Sequence, residues 1–260
     1  MKNKKILRTF VLISALLILA ACASPAAEST SSDDTPAVES MPDASMEMAA
    51  DAVVSEGNGF CSNAFFPLRS DKTWTYNIVS GDSDSNFSWT FKNITDSSFT
   101  IVQNFPSLTN EISWQCGPDG MLSSTYANMA MNSSIDVTYD TLEVNGVALP
   151  SDGEWEVGKV WDMTYTVQVT INNEAMTVQA DGVIATTRTI AAIEPITVPA
   201  GTYPEAYRVD STGQLTIDLM GTQSTTPMVY SDWYVSGVGL VKSASSNTDM
   251  AYDMQLISFE

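Results

Sequence analysis

From Trp161 to Ile171 every odd position is apolar (Trp161, Met163, Tyr165, Val167, Val169, Ile171) and every even one is polar. A two-residue period puts successive side chains on opposite faces of an extended chain, and no helix produces it. After Asn172-Asn173 the phase inverts, so that Met176, Val178 and Ala180 are apolar between Thr177, Gln179 and Asp181. A two-residue turn at the asparagine pair predicts a hairpin in which Val169 faces Met176, Val167 faces Val178 and Tyr165 faces Ala180. Asparagine tolerates the positive φ that a type I′ turn needs.

The same logic runs through the rest of the chain. Trp74, Tyr76 and Ile78 form one face, Gly81 to Asn86 turns the chain, and Phe87, Trp89 and Phe91 return opposite Ile78, Tyr76 and Trp74. Phe99 and Ile101 continue the meander, and further alternating runs lie at Ile135–Tyr139, Leu215–Leu219, Val229–Val235 and Met250–Leu256. Turns are marked by Gly117-Pro118-Asp119-Gly120, Ser151-Asp152-Gly153 and Pro199-Ala200-Gly201. Helical character is confined to a possible turn near Tyr126–Asn132. The expectation is an all-β domain, an antiparallel meander of about a dozen strands forming a half-open barrel, with a two-sheet sandwich as the alternative.

Three segments precede or compose that domain. Residues 1–21 read as a lipoprotein signal peptide. Lys2, Lys4, Lys5 and Arg8 form a basic start, and Phe10 to Ala20 an apolar run too short to span a bilayer comfortably. Leu19-Ala20-Ala21-Cys22 resembles the lipobox of bacterial lipoproteins, which implies that Cys22 carries the lipid and begins the mature chain. Two or more acyl chains anchor stably. Residues 22–57 hold eight acidic and no basic or aromatic side chains between Ala23 and Gly57. Such a segment buries too little to offset its ordering entropy and reads as a disordered stalk. Residues 58–260 form the β-domain.

Charge and missing residue types exclude several functions. The chain has 31 acidic and 11 basic residues and no histidine. That balance repels nucleic acid and anionic head groups, and the lack of imidazole removes Ser-His-Asp and Cys-His catalysis. Paired carboxylates could serve glycoside hydrolysis, but no pair is marked among so many. The expectation is no catalytic residue, no cofactor and no enzyme.

Ile196-Thr-Val-Pro-Ala-Gly-Thr202, Ala206-Tyr-Arg-Val209, Asp232-Trp-Tyr-Val-Ser-Gly-Val-Gly-Leu-Val-Lys242 and the earlier Phe66-Pro67-Leu68 with Trp74-Thr-Tyr76 resemble the TapB-like group of secreted bacterial β-domains. The resemblance implies a fold and transfers no catalytic residue.

The remaining candidates are few. Once Cys22 is lipidated, Cys61 and Cys116 are most simply a disulfide in an exported protein, free buried thiols being the other reading. Asp82-x-Asp84-x-Asn86 has the spacing of a Ca²⁺ loop but lacks its glycine and its bidentate glutamate, so a solvated turn reads better. Trp74, Tyr76, Trp89, Trp161, Tyr165 and Trp233 could be core or could line a groove for a lipid or glycan. The reading that follows is a monomeric, extracytoplasmic envelope protein, tied to the bacterial membrane through Cys22. Its role is structural or interactive with an envelope partner, the alternative being a carrier or sensor of an apolar ligand.

Overall fold

The computed structural model describes residues 55–126, 136–173, 176–245, 247 and 251–260. The signal peptide, Cys22, the stalk as far as residue 54 and most of the possible helical turn after Tyr126 lie outside them. Thirteen strands form one antiparallel sheet: β1 (Trp74–Ser80), β2 (Ser83–Lys92), β3 (Ser98–Phe105), β4 (Leu108–Gly117), β5 (Gly120–Ser123), β6 (Asp136–Gly146), β7 (Leu149–Pro150), β8 (Val160–Asn173), β9 (Met176–Val198), β10 (Gly201–Leu219), β11 (Thr222–Val235), β12 (Gly239–Ser245) and β13 (Tyr252–Phe259). Among the described residues the only helical pieces are short 3-10 turns at Gly59–Cys61 and Asp152–Glu154.

The spatial order is β6-β8-β9-β10-β11-β12-β13-β1-β2-β3-β4-β5-β7. The edge strands β6 and β7 are not paired with each other, so the sheet is not a closed barrel. Yet only Val147 and Ala148 separate them in the chain, and the sheet curls until its two ends meet. Two polar contacts span that seam: Tyr165 Oη donates to the Ser123 carbonyl at 3.3 Å, and Arg188 Nη1 to the Ala148 carbonyl at 2.6 Å. The half-open all-β meander expected from alternation is therefore the architecture found, as one sheet and not two.

The face assignments hold, but two registers differ. Trp161, Tyr165, Val167 and Val169 are buried on β8, and Ala180, Ile184 and Ile190 on β9. Val169 pairs with Ala180, Val167 with Gly182 and Tyr165 with Ile184, where Met176, Val178 and Ala180 were expected. The chain reverses between Asn173 and Met176, two residues beyond the asparagine pair. An even slip keeps every side chain on its face, so alternation cannot detect it. Gly182 is what the true register needs, since a Cβ there would lie 2.9 Å from Val167 Cγ2. In the first hairpin, likewise, Trp74 pairs with Trp89 and Tyr76 with Phe87, because the turn is the tight Gly81-Asp82 and not a six-residue loop.

Two apolar clusters fill the interior. The larger gathers Phe66, Leu68, Trp74, Tyr76, Phe91, Phe99, Val241 and Leu256 among others. The smaller, of Tyr165, Val167, Val169 and Ile184, lies between the distal parts of the long strands. Entry to the domain is fixed at Leu68, whose carbonyl accepts from Glu56 N at 2.7 Å and whose N–H donates to Ser55 Oγ at 3.1 Å.

Cys61 and Cys116 form a disulfide with a Cα–Cα distance of 5.2 Å. It fastens the 3-10 turn to the end of β4, across 55 residues of sequence. Cys61→Ala together with Cys116→Ala is expected to cost about 2–4 kcal/mol, because the open chain regains loop entropy when unfolded. Urea midpoints of the oxidised protein and the double variant measure it, and equal midpoints would contradict the expectation.

Candidate functional site

The six aromatics proposed for a groove do not line one together. Trp74 and Tyr76 are wholly interior: the Trp74 indole donates to the Val238 carbonyl at 2.7 Å and the Tyr76 hydroxyl to the Leu240 carbonyl at 2.8 Å. With Trp89 they surround a void of about 10 Å³, room for one water and not for a lipid or sugar. Tyr165 belongs to the smaller cluster, and Trp161 lies beside Arg188. Trp233, on the opposite phase of β11 from buried Asp232 and Tyr234, is half-buried at the margin of the larger cluster, its indole donating to Glu194 Oε1 at 2.8 Å. Trp74, Tyr76, Trp161 and Tyr165 are therefore core, with Trp89 packed half-buried against it, as strands without covering helices require of their largest apolar side chains.

Asp84 and Asn86 sit on β2, not in a loop, and both accept from Asn77 Nδ2 across the hairpin, at 2.6 and 3.0 Å. Asp82 is in the turn before them. Among the described residues no group of three or more acidic, cysteine or histidine side chains is placed to hold a metal.

A site that the sequence reading passed over lies in the interior, between the two clusters. Arg188 on β9 is 5% exposed and Asp232 on β11 is 6% exposed. Arg188 Nη2 donates to Asp232 Oδ2 at 2.5 Å, Nε to Ser211 Oγ at 3.1 Å, and Nη1 reaches the Ala148 carbonyl. Ser243 Oγ donates to Asp232 Oδ1 at 2.6 Å and lies 2.9 Å from Tyr252 Oη. The guanidinium also lies over the rings of Trp161 and Tyr230, each centroid 5.8 Å away. Burial works against the Arg188 charge, but Tyr230, Tyr234 and Asp232 more than offset it, and the net effect holds the guanidinium above its ordinary pKa. Each nitrogen of the fork thus has a receiver, which favours an ion pair in an apolar interior.

What the cluster does is mechanical: one side chain joins β9 to β10, to β11 and to the link between the edge strands β6 and β7. The signal was present in the sequence. Arg188 falls in phase with the buried Ile184 and Ile190, and Asp232 with Tyr234, within the phrase Asp232-Trp-Tyr-Val. A charge on the inward phase demands a partner, but only the pairing of β9, β10 and β11 identifies it across 44 residues.

Comparison with known proteins gives a family and a distant likeness of fold. A family model described as DUF3108-like matches residues 107–252. Residues 196–242, which carry most of the resemblance to the TapB-like group, lie inside that span, and the match does not confirm that group. No curated protein matches the chain. Two crystal structures align with it. One is a Bacteroides fragilis protein described as exported and of YmcC-like fold (14% identity, TM-score 0.49, covering 76% of this chain and 100% of that one). The other is a Parabacteroides distasonis protein described as a lipoprotein (15% identity, TM-score 0.45, covering 76% and 99%). With more than half its length matched by the family model, this chain belongs to the DUF3108-like family.

Proposed function

We propose that the chain is a lipid-anchored protein of the bacterial envelope whose extracytoplasmic β-domain serves a structural or interaction role and not a catalytic one. The observation that carries the reading is the Cys61–Cys116 disulfide. Such bonds persist in oxidising compartments, and the basic-apolar leader ending in Leu19-Ala20-Ala21-Cys22 sends the domain to one. Among the described residues no helix is long and apolar enough to cross a membrane; in this reading the attachment is the lipid on Cys22. A domain with 23 acidic and 7 basic side chains is kept soluble and away from anionic head groups, which suits a body held off the surface by a stalk.

Cys22→Ala is expected to abolish incorporation of radiolabelled palmitate and to release the protein from the membrane fraction. Retention of the variant on membranes, or wild-type protein in the cytosol with its leader intact, would refute the anchoring. Hydrolytic turnover of glycan or peptide substrates by the purified protein would refute the non-catalytic role.

A further inference from the structure

Trp233 lies on the outer face of the sheet, between buried Asp232 and Tyr234 on β11. It pairs with Arg208 on one side and Lys242 on the other. Arg208 is held by Glu194 at 3.0 Å and Asp210 at 3.1 Å. Lys242 is held by Asp253 at 3.0 Å, its Nζ 5.7 Å from the Trp233 ring centroid. The indole is thus held at its N–H by Glu194 and flanked by Lys242, while it stays only half-buried. Lys242 lies over this ring, and Arg208 shares with it the Glu194 carboxylate.

Along β10, on the same face, Asp210 and Thr212 lead away from Arg208, a path of about 13 Å from Arg208 to Thr212. It ends in an open depression of about 510 Å³ across β8, β9 and β10, lined by Asp162, Thr164, Thr187, Thr212, Gly213 and Gln214. Gly213 allows the close approach of the strands there: a Cβ would lie 2.2 Å from the Ala185 carbonyl oxygen. Glycine in a strand interior weakens it and marks such an approach. Thr187 Oγ1 donates to Asp162 Oδ1 at 2.6 Å, and Asp162, Thr187, Thr212 and Gln214 are exposed.

We propose that this outer face binds an uncharged polysaccharide chain, one sugar ring stacking on Trp233 and the sugars beyond it hydrogen-bonding in the depression. Hydroxyl, amide and carboxylate groups match the mixed donors and acceptors of a sugar. An aromatic ring with fixed orientation matches the apolar face of a pyranose. Glu194, Asp210, Asp253 and Asp162 outnumber Arg208 and Lys242, so a phosphate- or carboxylate-bearing polymer is repelled. The hydroxyl-lined depression equally disfavours an acyl chain. The inference goes beyond the envelope role and does not depend on the lipid anchor.

Calorimetric titration of the purified full chain with chitohexaose and with cellohexaose tests it. Binding of at least one sugar is expected, insensitive to salt because the ligand is neutral. Trp233→Ala should weaken it about tenfold and Gln214→Ala about fivefold. Gln214 is exposed, so its variant keeps the fold even if loss of Trp233 disturbs β11. The proposal is overturned if neither sugar binds at millimolar concentration, or if both variants bind like the parent. Binding of decalysine that vanishes on adding salt, without sugar binding, would assign the face to a basic peptide and also overturn it.

Discussion

Above pH about 10 the folded domain is expected to lose stability steeply and to unfold by about pH 12. Burial pushes the phenols of Tyr126 and Tyr165 up to about 12, and raises those of Tyr76, Tyr234 and Tyr252 as well. A tyrosine is neutral while it keeps its proton, and a chain that unfolds releases its phenols at about 10. Stability from these side chains is therefore complete below about 10. It falls as the pH rises, because the unfolded state gives up protons that the folded state retains. A phenol such as Tyr165, held at about 12, contributes roughly 3 kcal/mol, and several together exceed the stability of an ordinary domain. The check is a series of thermal melts from neutral to strongly alkaline pH, with tyrosinate absorbance followed in parallel. Tyrosinate should appear in a late step that coincides with the loss of β-sheet circular dichroism. All nine tyrosines titrating near 10 in a still-folded protein would refute the argument.

Arg188→Met alone is expected to destabilise the domain by about 3–5 kcal/mol, since it leaves the Asp232 carboxylate buried opposite a thioether. For a domain of this size that corresponds to a fall in Tm on the order of 10 °C. Asp232→Leu should behave similarly by stranding the guanidinium. The double variant Arg188→Met with Asp232→Leu is expected to recover most of the loss, because replacing both partners removes the uncompensated charge along with the pair. Recovery would identify the penalty as electrostatic. A double variant as weak as the sum of its parts would mean that the Arg188 bonds to Ala148 and Ser211 carry the cost instead. Only the arginine at this position spans three strands and the seam, so the double variant should also loosen the β5–β7 edge, read as faster amide exchange around Met121 and Leu149.

The inward and outward faces of the strands were legible because a period of two survives any even slip, and β8 displays it without a break over eleven residues. Register was not legible, for the same reason. The asparagine pair drew the β8–β9 turn two residues early. The β10–β11 turn, Met220-Gly221, went unmarked although both residues have positive φ (+53° and +81°), because methionine is not a residue that announces such a turn. The full lengths of β9 and β10 were hidden by irregularities near Tyr203–Ala206 and Arg208–Val209, where alternation lapses. The cysteine pair was readable from compartment and count alone. The aromatic set was ambiguous because a large ring on the inward phase looks the same in sequence whether it meets other side chains or an empty space. Only packing decides, and it leaves Trp233 as the outward one.

β13 has a temporal consequence. It is the thirteenth strand in chain order, yet it lies in the middle of the sheet, hydrogen-bonded to β12 on one side and β1 on the other. A chain that orders from its N-terminus therefore first forms two separate ribbons, β1–β5 with β7 and β6 with β8–β12, each with a vacant border where β13 will sit. Neither ribbon can zip to the other until residues 252–259 are in place between β12 and β1. The topology thereby postpones the joining of the two ribbons until the last strand of the chain is available to both.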